Sequence, residues 1–400
     1  MNILTFDFET SKKPRHLPWI PGSFAVSLGI LRNKVDISIR DCGGYNEYIL
    51  NHKDSYPTWS QENVQWKFDW ADEIVGHNIC FDLHWLKACG IILKPNIRIY
   101  DTMIAEYLLS GQTKKYDELS LADLSEQYLS IPKDDEVKPY WDAGIETDEI
   151  PLPILMPYMK RDIINTMELY ELQQPRIQEK GMEKLVRLQS ELVGVVEEME
   201  WNGMRVDVDS CKTKLDSCII NKSALETELT MFIEDVLPEL RDIPIKWTSG
   251  DHLSTILFGG KLVYDGREKT ERRLKDGTIR NGERNAKLVV TTRGLGFKPG
   301  KRTETKKAGY YQTDKAQMEQ LQPKGKAQRR FLDLLSEISS VEKLSGTYFK
   351  PFIEESIGGV FHPNYNQTAT VTGRLTCSRL HQIPRDDDKG VKSVFITGEE

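Results

Sequence analysis

The stretch ILTFDFE, residues 3–9, reads as a β-strand with two different faces. Phe6 and Phe8 point to one side, toward a core. Asp7 and Glu9 share the other side, and two adjacent carboxylates repel unless a cation holds them. Downstream, Ile74 and Val75 form a short buried strand ending at Gly76, where GHNICFD (76–82) begins. A helix is expected from Asn78 to Lys87, stopping at Gly90. Asn78 and Asp82, four apart, would share one helical face, and Asn78 also suits an N-cap. Further on, YMKRD (158–162) places Tyr158 and Asp162 four apart on another helix. Taken singly, each pair is an ordinary surface feature. Together and in this order they supply four carboxylates and a phenol, the donor set for two hard divalent cations and one attacking water.

Around this constellation the first 170 residues alternate strand and helix signals, so an α/β domain is expected. FAVSLGIL (24–31) and KVDISIR (34–40) read as a hairpin joined at Arg32-Asn33. Ser60 can cap a helix reaching about Asp72. RIYDT (98–102) ends another strand, with helices near 102–110 and 120–129. Residues 132–153, rich in Pro and acidic side chains, read as a surface loop. From Pro157 to Met199 the spacing is helical, with a break at Gly181. A turn and short strand at 201–209 lead into a helix reaching Val236. Residues 259–310 are glycine-rich and lack sustained periodicity. They read either as small antiparallel strands or as a low-complexity linker. A helix follows from Lys326 to Glu355.

The 400 residues exceed one ordinary domain and suggest two or three. Net charge is −7, yet residues 261–309 carry 15 Lys/Arg against 6 Asp/Glu, a local +9. Such a stretch suits either a nucleic-acid backbone or an acidic accessory protein. Six cysteines form no CxxC pair, and Cys211 and Cys218 fall on one helical face, which suits packing in a reducing cytosol. No basic-then-apolar leader and no run of 18 apolar residues is present, so the reading is cytoplasmic, without a membrane span.

The three acidic motifs resemble those of 3′→5′ exonucleases of the DEDD type, in the subgroup with tyrosine in the third motif. The resemblance implies a ribonuclease H-like fold, a mixed sheet flanked by helices. It further implies that Asp7, Glu9, Asp82 and Asp162 bind two Mg²⁺ or Mn²⁺ ions. Tyr158 would orient the attacking water with help from Glu9, and Asn78 would help hold the DNA strand end. Further segments resemble family-A DNA polymerases of bacteria and phages. They are NGMRVDVD (202–209), SGDHLSTILF (249–258), SEISSVEKLSGTYFKPF (336–352) and FHPNYNQTATVTGRLTCSRLHQIPR (361–385).

The implied organisation is an exonuclease domain at 1–175, a mostly helical thumb at 176–358 with the basic insertion at 259–310, and the start of a palm at 359–400. Implied partners are a single-stranded DNA 3′ end and a primer-template duplex. Lys343, Ser345 and Thr347, near a helix end, suit phosphate contacts. Arg374 would reach the primer minor groove, and Gln382 stands where the family often has asparagine. Lys301, Arg302, Lys306 and Lys307 belong to the basic track. The family's palm needs an aspartate motif after VKSVFIT (391–397), a fingers lysine and a second aspartate motif, so an incomplete polymerase site is expected in this chain. GEE (398–400) reads as a hairpin turn. Either a fragment of a longer polymerase or a split enzyme completed by a second chain is consistent with this. A non-catalytic DNA-binding half and an RNA-trimming exonuclease are the competing functions.

Overall fold

The alternation of apolar runs with charged helix faces gives a sheet-centred unit and a largely helical unit in the computed structural model. It describes residues 1–12, 17–34, 44–132, 136–273, 279–377, 379–385 and 390–397. The first unit comprises Met1–Asp207, Glu355–Arg385 and Phe395–Glu400, and the second Val208–Glu354 and Asp386–Val394.

In the first unit, β1 (Asn2–Thr10) is the centre of a five-stranded mixed sheet. It pairs antiparallel with β2 (Ala25–Lys34), which pairs with β3 (Tyr45–Ile49). On its other side β1 runs parallel to β4 (Glu73–Gly76), which pairs with β5 (Arg98–Asp101). The order is therefore β3-β2-β1-β4-β5. Helices α1 (Gln61–Trp70), α2 (Cys80–Ala88), α3 (Thr102–Leu109), α4 (Leu121–Leu129), α5 (Lys138–Asp142), α6 (Leu152–Glu179) and α7 (Glu183–Asn202) complete the α/β arrangement. Phe6 meets the α1 ring of Phe68 edge-to-face at 5.2 Å, so one face of β1 is anchored in the core as its alternation requires.

The opposite face of the sheet receives α6. Asp7 pairs with Gly29 and Gly29 with Glu47, putting a residue without a side chain beside the acidic strand. The helix approaches so closely there that a Cβ on Gly29 would overlap Ile163 Cδ1 and lie 3.3 Å from the Met159 side chain. Thr5 and Ser27 hydroxyls donate to the Met167 and Met159 sulfurs, at 3.3 and 3.4 Å. Met159 and Ile163 are the buried side of α6, and the Tyr158–Asp162 pair rides beside them.

Several local expectations are corrected. Arg32 and Asn33 are not a turn, because β2 continues to Lys34 in full register with β1, Asn2 opposite Lys34. The expected third strand at 34–40 falls, beyond Lys34, outside the described residues. The segment 132–153 is not wholly a surface loop: α5 lies within it, and Val137, Thr147 and Ile150 are fully buried. Helix α2 starts at Cys80, not Asn78, because Asn78 takes φ +55. That left-handed residue sits in the tight turn at Gly76, whose missing Cβ makes room for Ile79. Ser60 does cap α1, accepting the Asn63 N–H at 3.2 Å, and Gly181 takes φ +64 between α6 and α7. β6 (Met204–Arg205) returns to pair with β9 (Val360–Phe361).

The second unit packs α8 (Val208–Val236) and α9 (Gly250–Phe258) with α11 (Lys326–Lys343) around Leu229, Ile233, Ile256, Leu257, Phe331 and Leu334. Between α9 and the short α10 (Lys315–Glu319) the chain makes one long hairpin, β7 (Gly260–Arg273) with β8 (Ile279–Thr292). Fourteen residues per strand replace the expected small strands, since KLVYD and KLVVTTR pair directly, Tyr264 opposite Leu288. The expected single helix to Glu355 is interrupted by a π-turn at Leu344–Phe349 before α12 (Lys350–Glu355). Residues 391–397 do not form a strand. Lys392–Val394 is a 3₁₀ turn, and only Phe395 bridges, to Val206. A strand needs a neighbour to take its hydrogen bonds, and no other is offered among the described residues. GEE (398–400) lies outside them. The remaining elements are β10 (Tyr365–Asn366) and β11 (Thr376–Cys377), a small antiparallel pair. No helix among the described residues is long and apolar enough to cross a membrane.

The seating of α6 on Gly29 gives a direct test. Gly29→Val should lower stability by about 1–3 kcal/mol through overpacking against Ile163 and Met159. A urea denaturation midpoint equal to that of the parent would show that α6 is not held by this contact.

Candidate active site

Three elements bring the acidic side chains together. β1 contributes Asp7 and Glu9, α2 contributes Asp82 and α6 contributes Asp162 with Tyr158. The Phe8 N–H donates to Asp82 Oδ1 at 3.0 Å, which docks α2 on the acidic end of β1. Asp7 is pushed well above the usual carboxylate range, first by burial and then by the charges of Asp82, Glu9 and Asp162. Asp82, Glu9 and Asp162 therefore all lie close enough to Asp7 to act on it. Asp82 is pushed up to about 8, chiefly by burial, while the Phe8 N–H opposes the shift. Such a cluster is stable only with protons or cations among the oxygens.

Tyr158 is half-buried on α6, one turn before Asp162. The Trp141 ring meets it edge-to-face at 6.0 Å, and the Arg161 guanidinium lies 5.7 Å from its centroid. Lys12 covers Trp141 at 3.6 Å, and its own N–H donates to Glu146 Oε2 at 3.0 Å. The segment read as a loop thus supplies an aromatic wall to the site.

Asn78 is not on the helical face of Asp82, because it precedes α2 in a left-handed conformation. Its backbone is instead fixed by Asp101, which the sequence reading passed over. Asp101 Oδ1 accepts from the N–H groups of Asn78 (3.1 Å), Met103 (2.8 Å) and Ile104 (3.3 Å), and Oδ2 from Ile79 (3.0 Å). One buried carboxylate thereby caps α3 and fixes the approach to α2. Burial pushes it up to about 6 despite these donors. Its charge also raises Asp82. The usable signal was an aspartate at a strand end directly before a helix, in RIYDT.

The other candidate residues do not join this cluster. Lys343 ends α11, and Ser345 and Thr347 fall in the π-turn, where the Ser345 hydroxyl donates to the Glu342 carbonyl at 3.1 Å. Arg374 and Gln382 are exposed in the first unit. Lys301, Arg302, Lys306 and Lys307 are exposed after the β7–β8 ribbon, and Lys307 pairs with Asp251 at 2.5 Å.

Parts of the chain resemble known proteins. Residues 67–178 match the family model of the 3′-5′ exonuclease, and residues 287–400 that of DNA polymerase family A. A DNA polymerase of Acinetobacter phage SH-Ab 15497 is 30% identical over 171 residues, covering 40% of this chain and 26% of that protein. DNA polymerase I of Synechocystis is 26% identical, with 78% and 27% covered. The DNA polymerase of Escherichia phage T5 is 24% identical, with 78% and 34% covered. The chain thus spans about a quarter to a third of these relatives. A solved structure of the POL domain of Pol1 from M. smegmatis, in complex with DNA primer-template and dNTP, aligns with all of this chain and 55% of that one. The TM-score is 0.64 at 16% identity, which establishes likeness of fold.

The raised carboxyls set a pH dependence. Asp82 rises from a usual value near 3.8 to about 8 on folding, so the folded state holds its proton more tightly. Its contribution is complete below about pH 4 and is lost as pH rises toward 8. In chelator, a Tm measured between pH 5 and 8 should fall by at least about 5 °C, which is the size of a roughly 2 kcal/mol loss. Asp101→Asn should remove part of this slope by lowering Asp82. Equal slopes in the parent and in Asp101→Asn would mean that Asp101 does not raise Asp82.

Proposed function

We infer that this chain, which belongs to DNA polymerase family A and carries a 3′-5′ exonuclease domain, removes nucleotides from DNA 3′ ends at the carboxylate cluster and holds a primer-template. The observation that carries the reading is the convergence of Asp7, Glu9, Asp82 and Asp162 from three separate elements onto one site.

Divalent ions fit this donor set, because the charged form of Asp7 is disfavoured by burial and then by three neighbouring carboxylates. Two ions of the Mg²⁺ or Mn²⁺ class, when bound, would lower the pKa of a water and offset charge on the attacking and leaving oxygens. The chain's own groups would do the rest. Asp7, Glu9, Asp82 and Asp162 would hold the ions. The Tyr158 hydroxyl would hold the attacking water, its ring fixed by Trp141 and Arg161. Asp101 is a positioning residue, acting through the turn that delivers α2.

The exonuclease domain is proposed to span 1–175, the thumb 176–358 and palm-like sequence 359–400. Lys343, Ser345, Thr347, Arg374 and Gln382 are proposed contacts to primer-template DNA, with phosphate the target of the hydroxyls and lysine. In the basic region the observed pairing matters. Asp265 pairs with Lys246 (2.9 Å) and Lys287, Glu268 with Arg284 (2.8 Å) and Glu283 with Arg267 (3.5 Å). Much of the ribbon's charge is internally balanced. Lys301, Arg302 and Lys306 are then the better phosphate contacts. The same balance favours, as a second reading, a protein-docking role for the ribbon. A second chain that completes polymerisation is a further proposal, tested by seeking restored extension on mixing.

Asp7→Ala and Asp162→Ala should each remove nearly all Mg²⁺-dependent shortening of single-stranded DNA while the fold persists. Parent-like cleavage by both at saturating Mn²⁺ would refute the site. Tyr158→Phe should slow single-turnover cleavage by about 10²–10³ with little change in DNA affinity. Unchanged cleavage would leave that ring a packing role alone. Reversing Lys301, Arg302 and Lys306 to Glu should weaken duplex binding and flatten the slope of log K against log salt. An unaltered slope would support protein docking instead.

A further inference from the structure

We propose that Cys80, His84 and Glu200 form a binding site for one transition-metal ion of the zinc class, separate from the carboxylate site served by the same helix. Cys80 and His84 are four apart on α2 and so share a face. Asp82 lies between them in sequence and points elsewhere, to the Phe8 N–H. Glu200 approaches from the last turns of α7. The candidate ligand atoms of the three residues all lie within 4.8 Å of one another.

The separations suit the chemistry. Cys80 Sγ is 3.7 Å from Glu200 Oε2, and His84 Nε2 is 3.5 Å from the same oxygen. Zinc bonds of about 2.3 Å to sulfur and about 2.0 Å to nitrogen or oxygen, at tetrahedral angles, put ligand atoms roughly 3.3–3.5 Å apart. The two separations to Glu200 are already near these values, and His84 Nε2, now 3.4 Å from the Glu197 carbonyl, would exchange that contact for the ion. Sulfur, imidazole and one carboxylate form a softer set than the all-oxygen cluster beside Asp7, so the two sites would select different metals.

The carboxylate is held in place for this role. Glu200 Oε1 accepts the Tyr365 N–H at 2.6 Å, leaving Oε2 toward Cys80 and His84. The Glu200 carbonyl pairs with His362 Nδ1 at 2.8 Å. Such outer contacts orient a metal ligand. His84 is 1% exposed, its ring packs against Trp19 at 4.7 Å, and its Nδ1 has no hydrogen-bond partner among the described residues. The missing outer acceptor on His84 makes this a site of moderate affinity.

Without metal, burial disfavours the charged form of all three groups. Burial pushes the Cys80 thiol up, pushes Glu200 up to about 7 and lowers His84 to about 4. Metal binding would replace the thiol proton and release it to solvent, forming a metal–sulfur bond with no redox change. Three protein ligands leave a fourth position for water. The ion would tie α2, and with it Asp82, to α7 and to the segment containing His362 and Tyr365.

Cobalt(II) titration of the metal-free full chain in excess Mg²⁺ tests the proposal. Mg²⁺ fills oxygen sites and leaves thiolate sites open. One equivalent of Co²⁺ should produce thiolate-to-cobalt charge-transfer absorption, abolished by Cys80→Ser and retained by Asp7→Ala. His84→Gln should weaken Co²⁺ binding by at least about tenfold. Zn²⁺ should displace the cobalt signal and raise the Tm of the parent. If Cys80→Ser does not fold, His84→Gln and the parent spectrum still decide. No thiolate band in the folded parent, or a band of parental affinity in both variants, would overturn the site and leave a hydrogen-bonded core triad. Exonuclease turnover is not a readout here, so this result stands apart from the fate of the carboxylate assignment.

Discussion

Four carboxylates confined to the acidic end of one strand impose the main constraint on the first unit. Asp7 cannot ionise freely beside Asp82, Glu9 and Asp162 in a buried setting. The fold holds these groups together against their repulsion by apolar contacts placed behind them. Phe6 on Phe68, and Met159 and Ile163 over Gly29, position the elements that carry the acids. The site is thus a region of stored electrostatic cost, and cation binding is the natural way to lower it.

The helix α2 shows how closely placement and chemistry are linked. Its N-terminal approach is fixed by Asp101 through the Asn78 and Ile79 N–H groups, and its seat on β1 by Phe8 and Asp82. The face bearing Cys80 and His84 meets Glu200 of α7. One short helix therefore serves two polar clusters on different sides. In each, burial disfavours the charged form, of Asp7 and Asp82 in one and of Cys80 and His84 in the other.

In the second unit a core of Leu, Ile and Phe from α8, α9 and α11 supports a two-stranded ribbon with many charges. A net count of +9 over 261–309 suggested a strong polyelectrolyte surface. The paired register puts Glu268 opposite Arg284 and Asp265 opposite Lys287, so opposite charges meet across the ladder. Cross-strand ion pairs hold the ribbon together and reduce the charge left for a ligand.

The sequence by itself determined the strand with Asp7 and Glu9, the order of the acidic motifs, the caps at Ser60 and Gly181 and the α/β character of the first unit. These depend on side-chain alternation, spacing and turn chemistry, all local properties. It misplaced the start of α2, because a left-handed Asn78 is selected by Asp101 more than twenty residues away. It read 132–153 as loop, since nothing local announces that Trp141 will meet Tyr158. The 14-residue ribbon was equally hidden, because pairing is a relation between two segments and each alone lacks strong periodicity. The meeting of Cys80 and His84 with Glu200 is of the same kind. Spacing put two residues on one helical face, and only tertiary packing decided what that face would meet.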